Sequence, residues 1–521
     1  MLTRFADNIK GVAFMTVLPE NTERNRSLFE SHIFSGNQQK YLWFGIGTIL
    51  SIFAVGGRFD VALAAWLMPV FLLRFSRLSK PLIGLALIWM LSCADTAWWL
   101  IQTSAENSSF DIRHYLISLS YGTGMFLPYL LDRLLASRLG SLTRIMVFPL
   151  AIVLAEYLLV SLNPYGASYG IRVITQNGNL PLLQLIAITG PYGVGFLIGW
   201  FATTVNAIWE APKSESSFRI GGIFTAALVA VLLFGGLRLA LAPPGGDYVK
   251  IAGLTPSKEI IAEASRSVEG FPRSREAVAA ADADALQSAY NMINAELIAN
   301  TRKAADAGAQ IVLWSENGAP SLAPYKGDLL AEAAEVAIEK NIYLLVASSQ
   351  PYELNETHMI DPEGEIVWSY QKNHPVPYAE PVPPGSSAVP VVDTPFGRIA
   401  SIICFDGDFP YLSRVNADIM LIPGYDRPNI GRVHTLKMTS ARAVENGFAM
   451  FRQDFDGYSA AFDHQGRILA GQDTTGQGAF MMMADVPIRG SRTFYNIAGD
   501  VFAWLCILAL FGLTWMAVKR H

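Results

Sequence analysis

Apolar runs crowd the first half of the chain. They fall at 41–56, 60–74, 82–101, 114–132, 145–162, 183–208 and 219–242, and one more lies at 499–517. Most approach the roughly 20 residues that an α-helix needs to cross a bilayer core. The first two are short and share the turn "GGRFD", so they read as tilted spans or as a helical hairpin that does not fully cross. Eight such segments in one chain predict a membrane α-helical bundle of about eight spans rather than a soluble helical core.

Charge placement orients the spans. With residues 1–40 as an N-terminal cytoplasmic segment, the inner connections carry Arg74, Arg77, Lys80, Arg133, Arg138, Arg144, Lys213, Arg219, Lys519 and Arg520. The outer connections carry only Arg58, Arg113 and Arg172. Lys and Arg concentrate on the cytoplasmic side of membrane proteins. The long stretch 243–498 between the seventh and eighth spans is therefore expected outside the cytoplasm. Residues 1–40 are polar and mixed and show no signal-peptide core. The domain plan is then 1–40, a transmembrane domain of about seven spans over 41–242, an outer domain over 243–498, and a last helix with a short cytoplasmic tail over 499–521.

Between the last two spans the periodicity changes to short apolar strands alternating with helices. "VKIAGLTP" (249–256), "IVLW" (311–314), "IYLLVASS" (342–349), "RIASIIC" (398–404) and "DIMLIPG" (418–424) read as strands. "HMIDPEGEIVWSYQK" (358–372) reads as two β runs around a Pro-Glu-Gly turn. Residues 276–308, 328–340 and 433–447 read as helices, the last stopped by Gly447. Strands continue in "FAMFRQDF" and "YSAAFDHQGRILA". This alternation predicts a layered α/β or α+β domain.

Composition agrees with a membrane protein carrying such a domain. The chain has 521 residues, 51% hydrophobic and 16% charged, against about 25% charged in a soluble protein. A net charge of −5 argues against nucleic acid as a partner. There are three cysteines, and Cys93 and Cys506 lie in expected spans. Cys404 is thus the one cysteine of the outer domain, where a lone thiol is either buried or used.

Reactive groups gather at strand ends in layered sheets. Glu316 follows "IVLWS", Lys372 follows "IVWSYQ" and Cys404 ends "RIASIIC". Their chemistries complement one another. A lysine ammonium favours the thiolate of a nucleophilic cysteine and stabilises the oxyanion of a tetrahedral intermediate, and a glutamate accepts and returns the thiol proton. Each residue alone is a weak signal, and a buried strand-end cysteine is the plain alternative.

Order and spacing are more specific. "LWSENGAP", "YQKNHPVPYAE" and "IICFDGDFP" resemble the Glu–Lys–Cys triad segments of the nitrilase (carbon–nitrogen hydrolase) superfamily, and Asn355 with "MIDPEGEIVWSYQK" resembles the hairpin that leads to its lysine. The resemblance implies an α–β–β–α sandwich with Glu316 as general base, Lys372 as oxyanion stabiliser and Cys404 as nucleophile. A domain of this kind between two spans is similar to the apolipoprotein N-acyltransferase family, as are "EYLLVSLNPYGASYG" (156–170) and "LLQLIAITGPYGVGFLIGW" (183–201). That resemblance implies an enzyme of the bacterial inner membrane with its catalytic domain on the periplasmic face. Its acyl donor would be a phospholipid, its intermediate a Cys404 thioester, and its acceptor the amine of a diacylglyceryl-modified lipoprotein. No metal or soluble cofactor is implied. Glu380 matches the family's second functional glutamate.

The match has departures. Ser315 stands where the family has proline, Phe405-Asp406 where it has Tyr-Glu, and "PGYDRPNIG" (423–431) lacks its tryptophan. "RQDFDGYS" (452–459) replaces an Asn-rich stretch. The N–H of Phe405 still suits an oxyanion hole, and Asp406 suits a partner of Lys372 or of the acceptor amine. Water in place of the amine would make the same triad a membrane-tethered amidase or nitrilase. The altered loops also suit another acyl acceptor or a non-catalytic scaffold. Among other polar residues, Asp408 reads as a helix N-cap, His374 as a loop residue, and His434 and His464 as solvated. Trp98, Trp99 and Tyr165 read as an interfacial belt, and no cluster has metal-ligand spacing.

Overall fold

The computed structural model describes residues 36–103, 111–476 and 480–519. The expected N-terminal segment lies outside the described residues up to position 35, as does Arg520. Among the described residues, four helices are long and apolar enough to cross a membrane: Pro81–Thr103, Ser141–Leu162, Glu215–Leu241 and Val501–Lys519. A fifth counts if the bent pair Leu180–Thr189 and Tyr192–Glu210 is one span.

Eight spans were expected, and the differences have local causes. Gly36–Ser51 and Ala62–Leu78 have 16 and 17 residues. At 1.5 Å per residue that is roughly 25 Å, short of the ~30 Å hydrocarbon core. Ile112–Leu135 is long, but it carries Arg113, His114, Asp132 and Arg133. The expected span 183–208 breaks at Gly190-Pro191, where its two pieces meet at 114°. Gly190 has φ +62°, and a Cβ there would lie 2.3 Å from the ring of Tyr495. Arg172, expected in an outer connection, is buried in an ion pair with Glu156 at 2.9 Å.

The second half is built on two sheets. Its strands are β1 Tyr248–Thr255, β2 Ile311–Trp314, β3 Ala319–Pro320, β4 Tyr343–Gln350, β5 Leu354–Ile360, β6 Ile366–Gln371, β7 Val391–Thr394, β8 Gly397–Ser401, β9 Ile419–Tyr425, β10 Ala449–Phe455, β11 Tyr458–Phe462, β12 Ile468–Asp473 and β13 Phe480–Pro487. One sheet runs β13-β1-β2-β4-β5-β6 with β3 beside β4, and the other runs β12-β11-β10-β9-β8-β7. Val249, Ile251, Leu313 and Leu345 of the first meet Ile399, Leu421, Phe451 and Ala461 of the second in one buried core. The opposite face of the first sheet packs on Leu297 and Ile298 of helix Ala283–Asp306 and on Val336 and Ala337 of helix Lys326–Lys340. The opposite face of the second packs on Ala443 of helix Ser440–Asn446. The result is an α–β–β–α sandwich. Because both faces of the central strands are covered, "IVLW" and "IMLI" are apolar throughout rather than alternating.

The helical part docks on the sandwich. Asp408 accepts from the backbone of Ala167 at 2.7 Å and from the hydroxyl of Ser168 at 2.7 Å. Lys437 reaches into the "GGRFD" turn, donating to Asp60 and to the carbonyl of Gly57, both at 2.7 Å. Gln465 donates to the carbonyls of Arg238 and Ala242. The loop after β6 and the segment after β8 then face helices Pro81–Thr103 and Ile112–Leu135, with Glu380 and Cys404 lining one cavity with Trp99 and Ile117.

Candidate active site

Glu316, Lys372 and Cys404 come from three strand ends. Glu316 lies two residues after β2 and Lys372 directly follows β6. The strand expected to run through Cys404 instead stops at Ser401, and Cys404 opens a short 3₁₀ turn to Asp408. The turn places Cys404 at φ +45°, a left-handed conformation that is unusual for a side-chain-bearing residue. Such backbone strain recurs at functional sites.

Asn355 ties the first two residues together. Pairing of β5 with β6 lets the Asn355 carbonyl accept from the Lys372 backbone at 2.9 Å. Its side-chain amide donates to Glu316 Oε1 at 2.7 Å, the same oxygen that takes Lys372 Nζ at 2.7 Å. Lys372 Nζ also donates to Glu380 Oε1 at 2.6 Å. Lys372 has no exposed side-chain surface. Burial lowers its pKa, but Glu316, Cys404 and Glu380 outweigh that and raise it, so it stays a cation. Burial and the Glu316 charge push Glu380 up. The second oxygens of Glu316 and Glu380 are buried without a hydrogen-bond partner among the described residues.

Around the sulfur the structure adds groups that sequence reading missed. Arg452 Nη2 donates to Cys404 Sγ at 3.6 Å and to Asp426 Oδ2 at 2.7 Å. Asp426 Oδ1 lies 2.8 Å from His434 Nδ1, and His434 Nε2 lies 3.0 Å from Asp408 Oδ1. Asp454 takes Arg452 Nε at 2.9 Å and the backbone N–H of Asp426 at 2.8 Å. His434 is therefore not solvated but buried between two carboxylates, at the start of a single π-helical turn to Thr439. His464 is buried as well. Asp408 caps no helix, because it is committed to His434 and to Ser168. One signal was available: "FAMFRQDF" is an apolar strand interrupted by Arg452 and Asp454, and fully buried charges are rare unless paired.

Electrostatics at Cys404 are opposed. Burial and the Glu316 carboxylate push the thiol up, while Lys372 and Arg452 pull it down; the net shift is upward. Burial lowers His434, but Asp408 and Asp426 outweigh it and raise its pKa to about 10. Asp426 resists burial because Arg452 and His434 hold it low. Burial and Asp426 push Asp454 up.

Among the described residues Asp406 makes no hydrogen bond or ion pair with Lys372, although the Lys372 charge lowers its pKa against the effect of burial. It accepts from Tyr370 Oη at 2.9 Å and from the backbone N–H groups of His374 and Ile403 at 2.8 and 3.2 Å. Burial raises it to about 6. These bonds fasten the Cys404 turn to the loop after β6. The Phe405 ring packs edge-on against Phe409, with centroids 5.5 Å apart. His374 lies in a loop, stacked on Phe409 at 3.6 Å.

Cys404, Asp426 and His434 also place possible metal-ligating atoms within 4.8 Å of one another, a cluster that linear spacing did not reveal. Arg452 Nη2 already stands among them, at 3.6 Å from the sulfur, 2.7 Å from Asp426 and 3.2 Å from His434. A metal cation would have to displace this guanidinium, so the donor set does not fit one.

Cys404 and Phe405 border a cavity of about 510 Å³ whose far wall is Trp99, Leu100, Ile117 and Tyr121 of the helical part. Tyr165 lines it too, and Trp98 instead donates to the carbonyl of Ile52. A second cavity of about 480 Å³ lies wholly within the sandwich domain and borders Glu316 and Glu380.

The family model of carbon–nitrogen hydrolases matches residues 268–493. The apolipoprotein N-acyltransferase of Geobacter metallireducens is 27% identical over 414 residues, covering 72% of this chain and 74% of that protein. That of Bradyrhizobium diazoefficiens is 23% identical, covering 66% and 68%. Mouse deaminated glutathione amidase is 30% identical over 24% of this chain and 45% of its own. Among solved structures, a Nesterenkonia amidase of the nitrilase superfamily covers 47% of this chain and 92% of its own at 19% identity, with a TM-score of 0.38.

Proposed function

From the premise that this chain joins a carbon–nitrogen hydrolase domain to apolar helices, and is similar to apolipoprotein N-acyltransferases over most of its length, we propose that it is a membrane N-acyltransferase. It moves a fatty acyl chain from a phospholipid through a Cys404 thioester to the N-terminal amine of a diacylglyceryl-cysteine lipoprotein. The domain of residues 243–498 works at the outer face of a bacterial inner membrane, the side favoured by the Lys and Arg distribution.

The observation that carries this reading is the position of Cys404 in a cavity walled on one side by Trp99, Leu100, Ile117 and Tyr121. A nucleophile that faces apolar helices is suited to a lipid ester, and apolar walls on that side limit the water that reaches the thioester. In the first half-reaction Glu316 takes the thiol proton and the thiolate attacks the ester carbonyl. Lys372 and the N–H of Phe405 stabilise the oxyanion. Glu316 then returns the proton to the leaving lysophospholipid alkoxide. Glu380 and Asn355 hold Lys372 and Glu316 in place, as their 2.6 and 2.7 Å hydrogen bonds support.

The test is intact mass after brief incubation of the purified protein with phospholipid and no acceptor. A hydroxylamine-sensitive gain of one acyl chain, absent in Cys404→Ala, is expected. No adduct while Cys404 is still alkylatable would overturn the reading in favour of an amidase acting on non-lipid substrates.

A further inference from the structure

The two cavities bordering the candidate site have different walls and share three lining residues. The helix-side cavity is lined by Cys404 and, on the side of the helices, by Trp99, Leu100 and Ile117. The domain-side cavity contains Glu316 but not Cys404, and its walls include Phe271, Tyr290, Tyr352 and Leu354. Ala379, Glu380 and Tyr425 border both. The carbonyl of Tyr425 lies 4.0 Å from Cys404 Sγ, so the septum between the cavities stands beside the sulfur.

We propose that the domain-side cavity binds the amine end of the acyl acceptor and the polypeptide that follows it, and that the acyl donor and the acceptor's diacylglyceryl group keep to the helix side. The proposal rests on the acyltransferase reading above and deepens it. Its basis is the acceptor chemistry at the inner end of the domain-side cavity. Glu316 is 1% exposed, and one oxygen each of Glu316 and Glu380 is buried without a hydrogen-bond partner among the described residues. Buried carboxylate oxygens in that state call for N–H donors, and an amine supplies them. The aromatic walls suit apolar side chains of the polypeptide that follows the amine.

The transfer step then balances. The amine lone pair attacks the thioester carbonyl carbon, forming the C–N bond and a tetrahedral oxyanion. Glu316 takes a proton from the nitrogen. The C–S bond breaks, its electron pair leaves on the sulfur, and Glu316 passes the proton to that thiolate. The products are the amide and the free Cys404 thiol. Arrival from the Glu316 side places the amine beside the base that must deprotonate it, while the acyl chain stays in the helix-side cavity.

Narrowing each cavity separately tests this. Leu354→Trp fills the domain side and Ile117→Trp the helix side. Acyl-enzyme formation from phosphatidylethanolamine and its consumption by amine are timed as separate half-reactions, with phenethylamine and a synthetic Phe-Ala peptide as probes. Leu354→Trp is expected to leave acyl-enzyme formation within about twofold and to slow consumption by about tenfold or more. Ile117→Trp is expected to slow formation first. Faster consumption by the peptide than by phenethylamine is expected, and the reverse overturns the assignment of a polypeptide to this cavity. Equal slowing of both half-reactions by either variant, or no effect of Leu354→Trp on consumption, overturns the proposal. Photo-crosslinking of 4-benzoylbenzylamine to the Cys404→Ala protein gives a readout that needs no thioester. Attachment within 271–293 or at 352–354 supports the site, and attachment only to helix residues 99–103 or 112–121, or none above background, overturns it. Absence of an acyl-enzyme in the unmodified protein defeats the thioester reading alone, leaving the crosslink to decide the amine site.

Discussion

Arg452 donates to the sulfur of Cys404 across 3.6 Å. The guanidinium is fully buried and is held by Asp426 and Asp454 at 2.7 and 2.8 Å. A second cation beside Lys372 therefore opposes the upward pull of burial on the thiol. Arg452→Gln removes that charge. Alkylation of Cys404 by iodoacetamide near pH 8 should slow by about tenfold for each unit that the thiol pKa rises. An unchanged pH profile of alkylation would show that Arg452 holds only the fold.

Lys372→Met removes the ammonium that Glu316 and Glu380 share. Acyl-enzyme formation should fall by roughly a hundred- to a thousand-fold, the usual cost of losing an oxyanion donor. Stability should fall too, by about 3–5 kcal/mol, because a buried carboxylate loses its cation. Pairing the thermal transition with the mass assay at a temperature where the variant is folded separates the two effects.

His434 gives the fold a pH dependence of definite sign. Its folded pKa is raised to about 10 by Asp408 and Asp426, against the adverse effect of burial, while the unfolded value is about 6.5. The stabilisation is therefore fully present below about pH 6.5 and is lost as pH rises through about 10. The thermal midpoint should decline across this window in the unmodified protein and decline less in His434→Gln. Parallel curves would show that the imidazole is neutral in the fold.

Gly190→Ala tests the break in the bent helix pair. The residue has φ +62°, and a Cβ would meet the Tyr495 ring at 2.3 Å. Strain and overpacking together should cost about 1–3 kcal/mol, read as a lowered thermal midpoint in detergent. Tyr495→Ala in the same background should restore part of the loss if the clash is its source.

Much of the plan was legible in the chain alone, because burial on both faces or in a bilayer writes itself as apolar runs. The runs at 82–101, 145–162, 219–242 and 499–517 all correspond to helices able to cross a membrane. "IVLW" is β2 without adjustment, and Gly447 ends its helix in a left-handed conformation at φ +80°. Glu316, Lys372 and Cys404 were conspicuous as single polar residues at the ends of such runs. Tertiary structure alone decided the rest, because the deciding contacts join distant segments. The stop of β8 at Ser401 and the turn at Cys404 depend on Asp406 bonding to Tyr370 across 36 residues. The break at Gly190 depends on Tyr495 filling the space where a side chain would be. The burial of Asp408, Asp426, His434 and Arg452 as one charge network depends on four segments meeting behind the sulfur. A lone charged residue in a sequence carries no mark of its partner. Its exposure or burial is settled only when the fold supplies the opposite charge.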